Sequence, residues 1–280
     1  MEIGKYHELT VLRETSVGLY LGNEADEDIL LPNKFVMPEF KVDDVVKVFV
    51  YLDSDERPVA TTQIPEIVLN DFAFLEVGYV TPVGAFMNWN IDKQLLVPFQ
   101  EQKAKMQEGE FHLVHMHLDE KTNRLVGSAK WQKFISKNTG DLKDLDEVDI
   151  MVLGESPLGY NCIVNCQFMG LAYKNENFQE VGTGMHMKAY VKQVRSDGKL
   201  DLLFEKPGLA ALEDHAEKIL GILRKNGGFL AFHDKSDAKE VQENLQMSKK
   251  AFKRAIGNLY KNKLIELADD GIKLAATETE

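Results

Sequence analysis

The sequence predicts a mainly β chain: three tandem OB-fold barrels followed by a C-terminal α+β domain with winged-helix order. Three observations predict it. A unit of 60–70 residues recurs, the apolar pattern inside each unit is that of short strands, and the hydrophobic period changes after residue 207. In the first unit Val17-Gly18-Leu19-Tyr20 precedes Ile29-Leu30-Leu31-Pro32, and Val45–Leu52 leads to Asp53. In the second, Val83-Gly84-Ala85-Phe86 precedes Leu95-Leu96-Val97-Pro98, and Glu110–Leu118 leads to Asp119. The offset is 66 at each landmark (18 to 84, 32 to 98, 53 to 119). The third unit is looser, with Leu158-Gly159-Tyr160-Asn161, then Gly170-Leu171-Ala172-Tyr173, then Met185–Val194.

Each unit closes on a short β-like run: Pro58–Thr62, Arg124–Lys130 and Lys199–Glu205. Five strands in so few residues are too small for a two-sheet sandwich and suit a small closed barrel. The polar stretches after the third strand of each unit have room for a short helical turn. The expected domains are residues 1–65, 66–142, 143–207 and 208–280.

The tail reads differently. Pro207-Gly208 punctuates the change. Leu212, Ala216, Ile219, Leu220 and Leu223 form a helical stripe that Asn226-Gly227-Gly228 stops. Phe229–Phe232 reads as a strand, and Ser236 or Asp237 caps a second helix running to about Leu245. A third helix follows, then a hairpin around Asp269-Asp270-Gly271.

Composition narrows the function classes. At 280 residues and 44% hydrophobic content the chain is long enough for several cores and is not compositionally disordered. No run approaches a membrane span, and the start lacks an apolar leader, so a cytoplasmic protein is expected. Cys162 and Cys166 are the only cysteines, too few for a structural zinc site or a disulfide framework. The formal net charge is -12, yet residues 212–280 hold 12 basic and 12 acidic side chains, so the first 211 residues carry the whole deficit.

Against that background the third helix stands out. Residues 248–263 carry Lys249, Lys250, Lys253, Arg254, Lys261 and Lys263 and no acid. At 100° per residue Phe252, Ala255, Ile256 and Leu259 share one side, while Lys250, Lys253, Arg254 and Lys261 fall roughly opposite. Ser248 sits at the N-cap. A cationic helix face on an anionic protein is the footprint of a polyanion contact.

Gly-Ala-Phe at 84–86, the strand Leu95–Val97 and the strand pair from Asp119 to Lys130 resemble the S1-type RNA-binding OB fold. Asp-Lys-Ser at 234–236, the string from Met247 to Lys261 and Asp-Gly-Ile-Lys-Leu at 270–274 are similar to the conserved virulence factor B family of bacteria, which has three S1-type domains and a winged helix. The resemblance implies a non-catalytic RNA-binding regulator acting after transcription. It implies stacking of unpaired bases on Tyr20, Phe86 and Tyr173, with Gly84 leaving room for a nucleotide backbone. Lys249, Lys250, Lys253, Arg254 and Lys261 would contact phosphate. The chain departs from the S1 pattern at the residue before the strand glycine, which is Val17, Val83 or Leu158. Each barrel keeps one of three expected aromatic or His groups, so each alone should bind weakly, with linkage summing the three.

Other constellations carry less. His112, His115 and His117 alternate along one strand without further ligands, which suggests a solvated strand face and no metal. Cys162 and Cys166 read as small core residues sharing a face. Gly182-Thr183-Gly184 lacks a P-loop Lys, and Gly154–Gly159 lacks the context of a nucleophile elbow. Trp89 and Trp131 suit either stacking or domain packing. No catalytic residue, cofactor, small-molecule substrate or membrane contact is expected. Two alternatives remain: a DNA-binding transcription regulator reading bases with Arg254 and Asn258, and a scaffold whose acidic barrels bind a basic partner in the ribosome or the transcription machinery.

Overall fold

The computed structural model describes residues 1–23, 28–206 and 208–275. Pro207 and the polar tail Thr277–Glu280 lie outside them. The chain divides into two compact units, Met1–Phe134 and Ile135–Glu280.

The first unit holds two closed barrels. Strands β1 (Lys5–Thr15), β2 (Gly18–Gly22), β3 (Ile29–Pro32), β4 (Val45–Leu52) and β5 (Pro58–Thr61) close in the order β1-β2-β3-β5-β4. Strands β6 (Phe72–Thr81), β7 (Gly84–Met87), β8 (Leu95–Pro98), β9 (Phe111–Leu118) and β10 (Leu125–Ser128) repeat that order. In the second unit β11 (Glu147–Glu155), β12 (Gly159–Val164), β13 (Phe168–Tyr173), β14 (His186–Val194) and β15 (Leu200–Leu203) form the third barrel. In every barrel the last strand pairs parallel to the third (Leu30 with Val59, Leu96 with Val126, Leu171 with Asp201), which closes the cylinder.

One contact recurs and explains the glycine landmark. A Cβ on Gly18 would stand 2.1 Å from the Leu31 carbonyl oxygen, one on Gly84 2.4 Å from that of Val97, and one on Gly159 2.1 Å from that of Ala172. Only glycine lets the third strand come this close. The expectation that Gly84 leaves room for a nucleotide is therefore corrected, because the protein's own carbonyl fills that space.

The two barrels of the first unit share a core. Phe49, Tyr51 and Val59 of the first barrel pack in one buried cluster with Ile67 and with Trp89 and Ile91 of the second. Trp89 is 2% exposed, meets Phe49 edge-on at 5.8 Å and donates its indole N–H to the Lys93 carbonyl. Trp89 is thus a packing residue, and the stacking role entertained for it falls away.

Two further expectations are corrected. His115 is 4% exposed rather than solvated, and its ring stacks on Phe134 at 3.9 Å and packs against Phe72 at 4.6 Å. Strand alternation assigns His115 and His117 to one face but does not say that a helical turn, Trp131–Phe134, lies over that face. Cys162 is buried, its thiol pushed up to about 12 by that burial, whereas Cys166 is exposed. β12 ends at Val164, and Asn165 and Cys166 form a left-handed corner (φ 49° and 55°) beyond it.

The C-terminal domain follows the expected order: α1 (Leu209–Lys225), β16 (Phe229–Leu230), α2 (Ala238–Leu245), α3 (Lys249–Lys261), β17 (Ile265–Ala268) and β18 (Gly271–Leu274). The sheet runs β16-β18-β17. Asp237 caps α2 by accepting from the Lys239 and Glu240 amides, at 2.8 and 3.3 Å. Ser248 caps α3 by accepting from Ala251 at 3.0 Å. Ile219, Leu223, Val241, Phe252, Ile256 and Ile272 are among the residues of its core. No helix among the described residues is long and apolar enough to cross a membrane.

The buried histidine makes the first unit acid-sensitive. Burial, followed by the neighbouring His117, lowers the His115 pKa to about 4. An unfolded chain takes up that proton below its ordinary value of 6.5 while the folded one does not. Stability is therefore lost as pH falls from there, by about 3 kcal/mol at pH 4. Both tryptophans lie in the first unit, so urea unfolding followed by their fluorescence reads it selectively. His115→Phe, which keeps a ring on Phe134, should flatten the decline between pH 6.5 and 4; parallel curves for the two proteins would refute this account.

Candidate nucleic-acid interface

Two surfaces gather the residues that the sequence singled out. The first lies on the barrels. Each opening strand breaks register at the same place, between Val11 and Arg13, Val77 and Tyr79, and Val152 and Gly154. Such a bulge twists the strand and re-aims the next side chain. The re-aimed residue faces the aromatic position of the second strand: Arg13 opposite Tyr20, Tyr79 opposite Phe86, Gly154 opposite Asn161.

The chemistry is graded across the barrels. The Arg13 guanidinium lies 4.1 Å from the centre of the Tyr20 ring and is ion-paired to Asp28. Tyr79 stacks on Phe86 with centroids 4.8 Å apart and planes 15° from parallel. The third barrel has no ring at either position. Tyr79 was missed in the sequence, because a bulge hides the alternation that would have paired it with Phe86.

Phe86 and Tyr79 open into a cleft of about 540 Å³ between the two barrels of the first unit, lined also by Val83, Lys93 and Arg124. The cations in it are occupied. Lys93 donates to the Asp53 carbonyl at 2.7 Å, and burial lowers its pKa. Arg124 is paired with Glu56, and Asp92 at the rim with Lys34. The Tyr51 hydroxyl is pushed up to about 12 by burial, then by Asp92 and Asp53, and stays neutral. An aromatic cleft with neutralised charge suits a base more than a phosphate.

Tyr173 is half-buried at the end of β13, opposite Gly159, where the first two barrels carry Pro32 and Pro98. The one aromatic of this barrel's second strand, Tyr160, turns toward the core beside Phe204 at 5.8 Å. The three proposed stacking residues therefore occupy unlike settings.

The second surface is α3. Phe252, Ala255, Ile256 and Leu259 are buried, and Lys250, Lys253, Arg254 and Lys261 are exposed, as the helical period requires. None of these four cations forms an ion pair with a described residue. Several cations of the first 206 residues are paired instead, with Arg57, Lys133, Lys188 and Lys192 each held by a carboxylate at 2.6–2.8 Å. Lys249 stands apart: it is half-buried, and its Nζ reaches the Lys235 carbonyl at 3.5 Å. Tyr260, 55% exposed on the same helix, was not singled out in the sequence. Among the described residues no group of three or more His, Cys, Asp or Glu could hold a metal.

Residues 217–274 match the CvfB-like winged helix domain, and residues 3–63 match the S1 domain. The chain resembles the conserved virulence factor B family. It is 24% identical over 269 residues to conserved virulence factor B of Staphylococcus epidermidis, covering 93% of this chain and 87% of that one. It is 28% identical over 274 residues to the Bacillus subtilis protein YitL, covering 94% and 90%. A crystal structure of a multidomain protein with nucleic acid binding domains from Streptococcus pneumoniae aligns over 98% of both chains at 22% identity and a TM-score of 0.40. The chain thus carries matches to two nucleic-acid-binding domain types, an S1 domain and a winged helix.

The stacked pair can be weighed without a ligand. Phe86→Ala should cost about 1 kcal/mol of first-unit stability, since an aromatic pair is worth that order beyond its buried area. The fully buried Phe49 should cost about 3–5 kcal/mol when changed to Ala. A double-mutant cycle over Tyr79 and Phe86 should return a coupling of about 0.5–1.5 kcal/mol, and a coupling of zero would deny the stack.

Proposed function

We propose that this protein is a non-catalytic, cytoplasmic RNA-binding regulator that acts after transcription on single-stranded RNA. The observation that carries the reading is the set of four cations on α3 (Lys250, Lys253, Arg254 and Lys261) that pair with no described residue, in a chain of net charge -12. Unpaired cations keep their full attraction for phosphate and need break no ion pair to bind it. They position a strand and leave bases free to be read elsewhere.

The barrels supply surfaces for those bases. Phe86, backed by Tyr79, offers an outward ring, and Tyr20 offers one beneath Arg13. Tyr173 is the stacking candidate of the third barrel. A base on one aromatic gains roughly 1–3 kcal/mol, so a single barrel holds RNA weakly and the linked set holds it usefully. The match to the S1 domain supports RNA over DNA. The transcription-regulator reading is weakened at Asn258, whose side-chain oxygen accepts from Asn262 at 3.1 Å. That leaves Arg254 as the one base-edge reader of the two named from the sequence.

The test is a salt titration of the full chain with labelled oligouridine. Four phosphate contacts give a slope of log K against log salt of roughly −3 on a single strand. Changing Lys250, Lys253, Arg254 and Lys261 to Glu should flatten the slope and weaken binding several-fold while the helical circular dichroism is retained. An unchanged slope in the folded variant would remove α3 from the interface. Preference for duplex DNA of equal length would favour the transcription reading, and a protein partner captured after nuclease treatment would favour the scaffold.

A further inference from the structure

Gly257 occupies the middle of α3, on its exposed side. Glycine is the poorest helix former after proline; Gly221 of α1 also has open space at its Cβ, so what sets Gly257 apart is its place among the cations of α3. The two common reasons for a glycine are absent. Gly257 is not among the residues with positive φ, and a Cβ built on it would meet nothing within 4 Å. The position contrasts with Gly18, Gly84 and Gly159, where the protein's own carbonyl fills the space.

What surrounds Gly257 is a set of reaching side chains. With 3.6 residues per turn, Lys250, Lys253, Arg254, Tyr260 and Lys261 all lie within about 60° of it around the helix axis. Gly257 is the bare centre of the cationic face. Tyr260 rises one turn further along, with its side chain 55% exposed. Among the described residues no ring or cation lies against it, whereas Tyr6 lies under Lys47, Tyr20 under Arg13 and Tyr79 against Phe86.

Resting on the reading of α3 as an RNA surface, we propose that this helix is a platform for single-stranded RNA. Gly257 is its floor, where the sugar-phosphate backbone comes against the helix main chain. Tyr260 is its stacking ring, and the four cations hold the flanking phosphates. The ligand is single-stranded because a free aromatic ring needs an unpaired base face; in a duplex those faces are stacked on one another. A Cβ at Gly257 would occupy the layer in which the RNA backbone lies.

The experiment uses the full-length chain, labelled oligouridine and an RNA duplex of equal length, with melting followed by helical circular dichroism. Gly257→Leu should raise the melting temperature of the helical domain, since leucine is the better helix former, and weaken oligouridine binding several-fold. Tyr260→Ala should weaken it by about 5- to 150-fold, leave the melting temperature in place and leave duplex binding unchanged, with Tyr260→Phe restoring affinity. Lys253→Glu with Arg254→Glu is the control for the underlying reading. If that control weakens binding while Gly257→Leu and Tyr260→Ala do not, the platform is overturned and the cationic surface stands. If the control leaves binding unchanged, both fall. If Tyr260→Ala weakens single strand and duplex equally, the single-strand assignment is overturned.

Discussion

The barrels depend on a close approach between two strands. At Gly18, Gly84 and Gly159 the carbonyl of the neighbouring strand occupies the place of a side chain. That approach pins the start of the second strand against the end of the third, at Pro32, Pro98 and Tyr173. With the register pinned, alternation fixes the rest: Leu19 and Leu21 turn inward, Tyr20 outward, and Phe86 follows between Ala85 and Met87. The outward direction of the half-buried Tyr20 and Phe86 is thus a consequence of the glycine two residues earlier. The bulge in the opening strand then places a partner across from it.

Charge is handled differently in the two kinds of domain. In the barrels many lysines and arginines are folded back onto carboxylates, as Lys192 is onto Glu176 and Lys188 onto Asp149. Surface pairs of this kind add little stability. The barrels are acidic by composition, because the first 211 residues carry the whole charge deficit of the chain. The third helix of the C-terminal domain has its acids elsewhere, and its four outward cations keep their charge exposed.

Much of this architecture could be read from the residues. The 66-residue offset marks pairs that are hydrogen-bonded neighbours in both barrels, and Ser248 and Asp237 cap the helices they were expected to open. What escaped has a common cause: alternation reports which side chains share a face, not what covers it. His115 is buried because Phe134, nineteen positions away, lies over it, a contact that alternation does not report. Cys166 is not the face-mate of Cys162 that alternation makes it, because the strand ends two residues before it. Tyr79 was lost to a one-residue slip at Gly78, a feature of backbone geometry with no signature in a single sequence. Tyr260 and Gly257 were overlooked because a search for charge passes over a neutral ring and a missing side chain.

The packing of Phe49 against Trp89, with Ile67 between the barrels' residues in the same cluster, bears on how such a chain can evolve. Tandem repeats are usually free to be lost, duplicated or shuffled one at a time. Here the wall of the first barrel is finished by an indole that belongs to the second, so a chromosome break between them would leave each half with an unsealed apolar side. By this packing the two barrels form one hydrophobic unit, and each alone would expose the seam to water.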